Sequence, residues 1–139
     1  MSDTPLDRKQ LQERLLRSPF NAFLNLEVQS CDPETQELTV HLKMRPEFER
    51  TAGAGQWHGG PIAAAIDVTG DYALAMLTGN PLPTINFSVD YLRPASGSLT
   101  LIARVRRRGK TVGVVDVEVR NEGGVLLAVG RASYSTAAS

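Results

Sequence analysis

The sequence predicts an α+β fold in which one curved antiparallel sheet wraps around a single long central helix. Two observations lead to this prediction. Only one long segment, Pro61–Leu77, has the composition of a buried helix, and the chain after Pro83 alternates like a series of β-strands. A helix that is apolar nearly all round must be covered, and a single sheet covers it only by curling around it.

The central helix is the clearest element of the pattern. Of the sixteen residues Ile62–Leu77, twelve are apolar and none is Lys or Arg. Pro61 suits the first helical position, where its missing N–H is not needed, and Gly79 followed by Pro81 suits the end. We expect this helix to be buried.

Strand patterns lie on both sides of the helix. Glu37–Met44 alternates with period two, and four further strands are predicted after the helix: Thr84–Leu92, Ser98–Arg107, Thr111–Arg120 and Val125–Ser135. The turns at 108–110 and 121–124 predict that the last three form an antiparallel meander. Small residues around Gly130 would let the backbone approach the helix closely, although Gly130 could equally mark a bulge.

The N-terminal part predicts a short helix packed on the domain. Three leucines share one helical stripe after Pro5: Leu11, Leu15 and Leu16. Pro19 ends this helix. Phe20 and Phe23 are then expected to pack against the body of the domain.

Composition excludes several classes of protein. Fifteen basic residues balance fifteen acidic ones, which disfavours a nucleic-acid partner because phosphate binding calls for a basic excess. The longest apolar stretch is interrupted by Asp67 and Asp71, and the first seventeen residues carry no apolar run. With Cys31 as the only cysteine, these features predict a soluble cytoplasmic protein without disulfides, outside any membrane. No cluster of metal ligands is visible, so neither a metal nor a cofactor is expected.

The segment WHGGPIAAAID, residues 57–67, is the strongest candidate for chemistry. Gly59 and Gly60 stand at the positive end of the helix, where N–H groups can hold a carbonyl oxygen that gains negative charge. Asp67 lies inside the buried helix and Asp71 one turn later on the same face, where carboxylates are costly to bury unpaired. Two interpretations follow: a catalytic group, or carboxylates that satisfy polar groups at a dimer contact.

Distance constrains the catalytic interpretation. Gly59 and Asp67 are separated by about 12 Å along a helix that rises ~1.5 Å per residue. A base must come within about 3 Å of the water that attacks the carbonyl held by the glycine. One subunit cannot meet both requirements, whereas two antiparallel helices from paired subunits can. A catalytic motif therefore predicts a two-fold homodimer.

Three pieces of sequence, in this order and at these spacings, carry a family resemblance. They are HGG with an acid nine residues after His58, the strand TINFSVDYLRPA at 84–95, and the basic turn RRRGK at 106–110. Over roughly residues 20–136 the chain resembles the hotdog-fold thioesterase superfamily, in particular the PaaI-like acyl-CoA thioesterases.

The resemblance implies a hotdog domain over residues 20–139, preceded by an N-terminal helical segment over residues 1–19. It implies hydrolysis of an acyl- or aryl-CoA thioester, in which coenzyme A is part of the substrate and no cofactor is needed. It also implies a homodimer, which could pair further into a dimer of dimers, or homotetramer.

The same resemblance assigns the catalytic roles. The N–H of Gly59 would polarise the thioester carbonyl, and His58 would help to fix that loop. Asp67 from the partner subunit would deprotonate water or attack the carbonyl directly. Thr84 falls close to where related enzymes place a hydroxyl group that helps to hold the water.

Substrate contacts are predicted around these groups: Gly60, Gln56, Asp71, Trp57, Arg93, Arg108 and Lys110. The cations of the basic turn could contact the phosphates of coenzyme A, or could simply be solvated. Ala52 departs from many relatives, which carry Asn or Gln there, and Gln56 could substitute for it. Phe48 and Trp57 suggest room for an aryl or medium apolar acyl group.

Two rival functions stay open at this point. One is a hotdog hydratase or dehydratase, in which a histidine serves as the base. The other is a non-catalytic protein that binds acyl-CoA, since a fold does not fix a function. The presence together of His58, Gly59 and Asp67 favours an active hydrolase.

Overall fold

The computed structural model describes residues 4–137. Within them the helices are α1 (Arg8–Leu15), α2 (Pro19–Leu24) and α3 (Gly59–Thr78), and a 3-10 turn covers Pro46–Phe48. The strands are β1 (Glu27–Asp32), β2 (Glu37–Leu42), β3 (Thr84–Tyr91), β4 (Leu99–Arg108), β5 (Val112–Asn121) and β6 (Leu126–Ser135). None of the helices in this part of the chain is long and apolar enough to cross a bilayer.

The six strands form one antiparallel sheet in the order β1-β2-β4-β5-β6-β3. The predicted meander β4–β5–β6 is confirmed, and so is the predicted α+β arrangement of one long helix on one sheet. The connection through α3 carries the chain across the sheet, so β3 pairs with β6 at the far edge. This path leaves β3 with a neighbour on one side only.

The core lies between α3 and the concave face of the sheet. Alternate residues of the central strands point inward and are fully buried: Leu38, Val40, Leu42, Leu99, Leu101, Ala103, Val115, Val117 and Val119. They meet an almost continuous buried stretch of α3 that runs from Tyr72 to Leu77. Period-two strands packed on an apolar helix thus produce the core that the pattern predicts.

Close contact between α3 and the sheet depends on glycine. A Cβ atom on Gly130 would lie 2.6 Å from Ile66 Cγ2, and one on Gly113 would lie 2.7 Å from Leu74 Cδ1. The β5–β6 register is regular through Gly130, so this residue marks a close approach and not a bulge. Because neither position has room for a side chain, α3 packs closely on β5 and β6, and a larger residue at either position would force the helix away from the sheet.

The N-terminal segment differs from its prediction in detail. The prediction that Leu16 joins the buried stripe is wrong, because α1 ends at Leu15 and Leu16 is 42% exposed. Pro19 does not only end one helix; it begins α2, with the Ser18 side chain as its cap. Phe20 is 52% exposed, so its predicted packing on the body is wrong.

Phe23 contacts the body only in part. It is 44% exposed, and its ring meets the ring of Phe48 edge-on at 5.6 Å between centroids. The Arg45 guanidinium lies over the Phe23 ring, 4.6 Å from its centroid.

Helix α1 satisfies the C-terminal end of α3. Gly79 closes α3 in the left-handed conformation, with a φ of 93°. The backbone N–H of Leu6 donates to Met76 O at 2.9 Å, and the guanidinium of Arg14 donates to Gly79 O. Carbonyl groups that would otherwise lack partners at a helix end are thus bonded to the N-terminal segment.

The apolar residues of β3 are not covered within one protomer. Ile85 is 56% exposed, Phe87 37%, Tyr91 51% and the following Leu92 53%. Their alternation predicts a strand with one buried face, but α3 lies mainly over β4 and β5 and leaves this edge open. An apolar strand that is open at a sheet edge is an association surface unless something covers it.

Candidate active site

The first turn of α3 is shaped by a histidine cap. The helix begins at Gly59, two residues before its predicted start, and His58 occupies the capping position with extended backbone angles. Its Nδ1 accepts a hydrogen bond from the N–H of Gly60 at 2.9 Å. The His58 backbone N–H in turn donates to Phe48 O at 2.7 Å, which ties the cap to the preceding loop.

This bond fixes the chemical form of the imidazole. A ring nitrogen that accepts a hydrogen bond carries no proton, so the neutral imidazole of His58 holds its proton on Nε2. In this form His58 organises the helix terminus and has no free basic nitrogen. The arrangement favours the predicted loop-fixing role over the histidine base of a hydratase.

Gly59 presents the free donor at the helix terminus. Within residues 4–137 its N–H has no hydrogen-bond partner, whereas the N–H of Gly60 is occupied by His58. The carbonyl of Gly59 accepts a bond from the hydroxyl of Tyr91 at 2.6 Å. A free N–H at the positive end of a 20-residue helix is suited to hold an oxyanion.

Tyr91 is a site residue that the sequence did not reveal. A Cβ atom on Gly59 would lie 3.1 Å from the Tyr91 hydroxyl oxygen, so the contact is close as well as hydrogen-bonded. The two residues are 32 positions apart. The sequence shows Tyr91 only as one of the alternating residues of a strand. Its contact with Gly59 can be recognised only when the positions of β3 and α3 are known.

Asp67 and Thr84, both predicted catalytic residues, are brought together. The Thr84 hydroxyl donates to Asp67 Oδ1 at 2.8 Å, which leaves Oδ2 for another partner. The Tyr134 hydroxyl donates to the Asp67 backbone carbonyl at 2.6 Å. Burial raises the pKa of the Tyr134 phenol far above its ordinary value, so it remains a donor. The Asp67 carboxylate is oriented from the side of β3.

Asp71 anchors the connection between α3 and β3. Its Oδ1 accepts a hydrogen bond from the N–H of Leu82 at 2.7 Å, two residues before Thr84. Burial, opposed by the Leu82 hydrogen bond and reinforced by the charge of Asp67, raises the pKa of Asp71 to about 7. Asp71 is predicted to touch substrate; the structure gives it a contact that holds the chain leading to Thr84.

The sheet register separates the predicted site residues into two groups within one protomer. Arg108 pairs with Gly113, Gly113 with Tyr134, and Tyr134 with Thr84, so these residues share one end of the sheet. Tyr91 lies about 23 Å away along β3, at ~3.3 Å per residue. At the Tyr91 end lie the predicted residues Gln56, Trp57, His58, Gly59, Gly60 and Arg93, and at the Thr84 end Asp67, Asp71, Thr84, Arg108 and Lys110.

A cavity of about 410 Å³ opens beside Gly59, lined by Arg50, Trp57, His58, Gly59, Ile62 and Tyr91. The indole of Trp57 stacks on Phe48 at 5.4 Å, and its Nε1 donates to Gly97 O at 2.7 Å. Arg50, which the sequence did not single out, is placed there by a closed loop: its backbone N–H donates to Gln56 O at 2.9 Å. Ala52 is exposed in the same loop and brings no hydrogen-bonding side chain.

The site offers carboxylate, backbone amide, hydroxyl and imidazole groups. Across residues 4–137, no three His, Cys, Asp or Glu side chains cluster so that they could hold a metal ion. These groups can stabilise an oxyanion at the N-terminal end of α3, and at Asp67 they can deprotonate a water molecule or attack a carbonyl.

Comparison with known proteins places this geometry in context. Residues 54–128 match the model of the thioesterase superfamily. The medium/long-chain acyl-CoA thioesterase YigI of Escherichia coli is 30% identical over 132 residues, covering 84% of each chain. A crystal structure from the thioesterase superfamily is 33% identical with a TM-score of 0.86, covering 92% of this chain and 96% of that one. The E. coli PaaI protein of the phenylacetic acid degradation operon has a TM-score of 0.76 at 23% identity, covering 92% and 94%.

Proposed function

The chain belongs to the thioesterase superfamily and is a thioester hydrolase, and we propose that it hydrolyses an acyl- or aryl-CoA thioester to the free acid and coenzyme A. The predicted hotdog fold and the predicted likeness to PaaI-like enzymes are confirmed. The observation that carries the proposal is the pairing, on one helix, of a free N–H at Gly59 with an oriented carboxylate at Asp67. The similarity to YigI, which is described as a medium/long-chain acyl-CoA thioesterase, supports acyl-CoA as the substrate.

The proposed reaction uses two positions on α3, its first turn at Gly59 and the carboxylate of Asp67 two turns later. The Gly59 N–H binds the thioester carbonyl oxygen and stabilises the negative charge it gains as water adds to the carbon. Asp67 takes the proton of that water, with its carboxylate held by Thr84. The C–S bond then breaks and the thiolate of coenzyme A leaves with the proton. In the alternative route Asp67 adds directly to the carbonyl and expels the thiolate of coenzyme A, and water then hydrolyses the resulting anhydride to the free acid and the Asp67 carboxylate.

Each active site is proposed to span two subunits. Within one helix Gly59 and Asp67 remain about 12 Å apart, too far to act on one carbonyl. The face of α3 that the sheet leaves partly open carries small residues, Gly60, Ala63 and Ala64, as well as Asp67. Such a face permits close packing of a second, antiparallel α3, and pairing of the open β3 edges would continue the sheet.

The same two-fold arrangement would bring the predicted substrate-binding cations of the two subunits close together. Arg93 lies at the Gly59 end of its protomer, whereas Arg108 and Lys110 lie at the Asp67 end. Antiparallel pairing brings one subunit's Arg93 toward the other's basic turn, where together they could bind the phosphates of coenzyme A.

The test is thiol release from a panel of aryl- and alkyl-CoA thioesters, followed with a thiol-reactive dye. Asp67→Asn should lower kcat by about 100-fold or more, since it removes the base but keeps the shape. Glu122→Gln, in the exposed turn before β6, is the matched charge control and should behave as wild type. A hydratase would convert an enoyl thioester without freeing thiol. Binding of the whole panel by wild type without thiol release would instead identify a non-catalytic acyl-CoA-binding protein.

A further inference from the structure

The cavity beside Gly59 contains one cation that the proposed reaction does not use. Arg50 is exposed and lines this cavity of about 410 Å³. In the described part of the chain, residues 4–137, its guanidinium forms no hydrogen bond or ion pair. The arginines on the outer face of the sheet are paired instead, such as Arg104 with Glu37 and Arg131 with Asp116. An unpaired guanidinium in the same cavity as Gly59 is available to a ligand.

The loop that carries Arg50 is built to hold it there. Besides the bond from the Arg50 N–H to Gln56 O, Glu49 forms a bridge with Trp57, and the Gly55 N–H donates to Glu49 Oε2 at 2.7 Å. The base of the Arg50 side chain is therefore fixed before any ligand arrives. A preorganised group binds its ligand without paying for the ordering of a loop.

The remaining walls of the cavity indicate which part of the substrate reaches Arg50. Trp57, Ile62 and Tyr91 offer aromatic and apolar surface, which suits the carbon skeleton of an acyl group. The cavity is roughly 9 Å across if its 410 Å³ are taken as a sphere, so a group that touches Arg50 lies only a few bonds from the carbonyl at Gly59. The phosphates of coenzyme A are at the far end of the pantetheine arm and do not fit this distance.

We propose that Arg50 is a specificity-determining residue that binds a carboxylate on the acyl group, so that the substrates are CoA thioesters of acids with a second carboxyl group. The inference rests on the proposed function, because the thioester carbonyl must be seated at Gly59. The planar guanidinium matches a carboxylate with two parallel hydrogen bonds. It also compensates the negative charge of Asp67 from the partner subunit, which would otherwise repel an anionic acyl group.

The experiment compares matched pairs of thioesters that differ only in the distal group: adipoyl with hexanoyl, and 4-carboxybenzoyl with 4-methylbenzoyl. Each acyl group is offered on coenzyme A and on N-acetylcysteamine, which lacks phosphates. Wild type, Arg50→Gln, Arg50→Lys and the control Arg8→Gln, an exposed charge at the start of α1, are assayed by thiol release. Circular dichroism and the melting temperature check that every variant is folded.

The carboxylated member of at least one pair should be preferred by wild type. Arg50→Gln should lower its kcat/KM by about 10- to 100-fold, the range for a hydrogen bond to a charged group, and change the neutral member by less than about threefold. Arg50→Lys should restore part of the loss. The loss should be equal on both thiol carriers, because the phosphates take no part.

Three results would overturn the proposal. Equal turnover of both members of each pair by wild type would refute the substrate class and leave thioester hydrolysis intact. A loss confined to coenzyme A carriers would assign Arg50 to the phosphates. An equal slowing of neutral and carboxylated thioesters would assign it to the oxyanion or to Asp67. Failure of wild type to release thiol from any substrate would instead refute the proposed function itself.

Discussion

Gly59 acts through a single backbone N–H, so its role can be tested by a pair of substitutions at one position. Both Gly59→Ala and Gly59→Pro place a Cβ near the Tyr91 hydroxyl, but only proline removes the N–H. Proline is well tolerated in the first turn of a helix. We expect Gly59→Pro to lower kcat by about 100- to 1,000-fold relative to Gly59→Ala, as loss of an oxyanion donor does. Equal kcat values for the two folded variants would remove the N–H from the mechanism.

Asp71 makes stability depend on pH. Its pKa is about 7 in the folded protein against 3.8 ordinarily, so between these values the folded state holds a proton that the unfolded chain has lost. Its contribution is fully present below about pH 4 and is lost as the pH rises through about 7, a change of roughly 4 kcal/mol. Asp71→Asn keeps an acceptor for the Leu82 N–H and should lack this decline. Urea unfolding at pH 5 and pH 8, at equal protein concentration, measures it.

The control for that experiment is a carboxylate with the opposite shift. At Asp116 the hydrogen bond from Arg131 lowers the pKa, so its contribution is present above the ordinary carboxyl pKa and is lost on acidification. Asp116→Asn should therefore retain the wild-type decline from pH 5 to pH 8. If Asp71→Asn declines as steeply as wild type, another group is responsible.

At the scale of single residues, the sequence predicts which residues belong to the site better than it predicts their contacts. Gly59 and Asp67 stand out because glycines at a helix start and an acid in an apolar helix are unusual in themselves, whereas the role of His58 is implied by the family resemblance. That Asp71 bonds to Leu82 could not be predicted, because this bond depends on how the chain leaves α3. Nor does the sequence predict His58 as the helix cap, since Ser, Thr, Asp and Asn are the usual capping residues.

Among the elements, β3 carries the proposed association surface. Phe87→Lys places a charge on its open apolar edge and should convert the proposed dimer into monomers. Most thiol release should then be lost, because each proposed site spans two subunits. Analytical ultracentrifugation measures the change in mass. Val125→Lys is the matched control, because Val125 is similarly exposed at 38% but lies in the turn before β6. A Phe87→Lys protein of unchanged mass and activity would exclude β3 from the interface.

Element types and order follow from the sequence more readily than burial does. Period-two alternation in β2, β4, β5 and β6 is matched by buried inner faces, and the turns define the meander. The same alternation in β3 does not correspond to burial within the protomer. An alternating pattern indicates that one face of a strand is buried. It does not indicate whether the residues that bury it belong to the same chain or to another chain.

At the scale of the whole molecule, the proposed sharing of sites between subunits predicts complementation between inactive variants. Asp67→Asn and Gly59→Pro chains, unfolded together and refolded as a mixture, should form mixed dimers in which one site carries both changes and the other carries neither. With random pairing about half of the dimers are mixed, so thiol release should recover to about a quarter of the wild-type value. Each variant refolded alone is the control. No recovery in a mixture shown to contain mixed dimers would place each site within one subunit.

The glycine contacts that seat α3 on the sheet have a mechanical consequence. Gly113 and Gly130 let Leu74 and Ile66 pack directly on the backbone, so we expect any shift of the helix to displace it as one rigid body. In the proposed dimer one such helix ends in the oxyanion donor of one site and carries the carboxylate of the other. A small axial displacement that advances Gly59 toward a substrate withdraws Asp67 from the opposite site. The two sites of the proposed dimer are then coupled. Binding of substrate at one site would change the position of the carboxylate in the other site before any bond is made or broken.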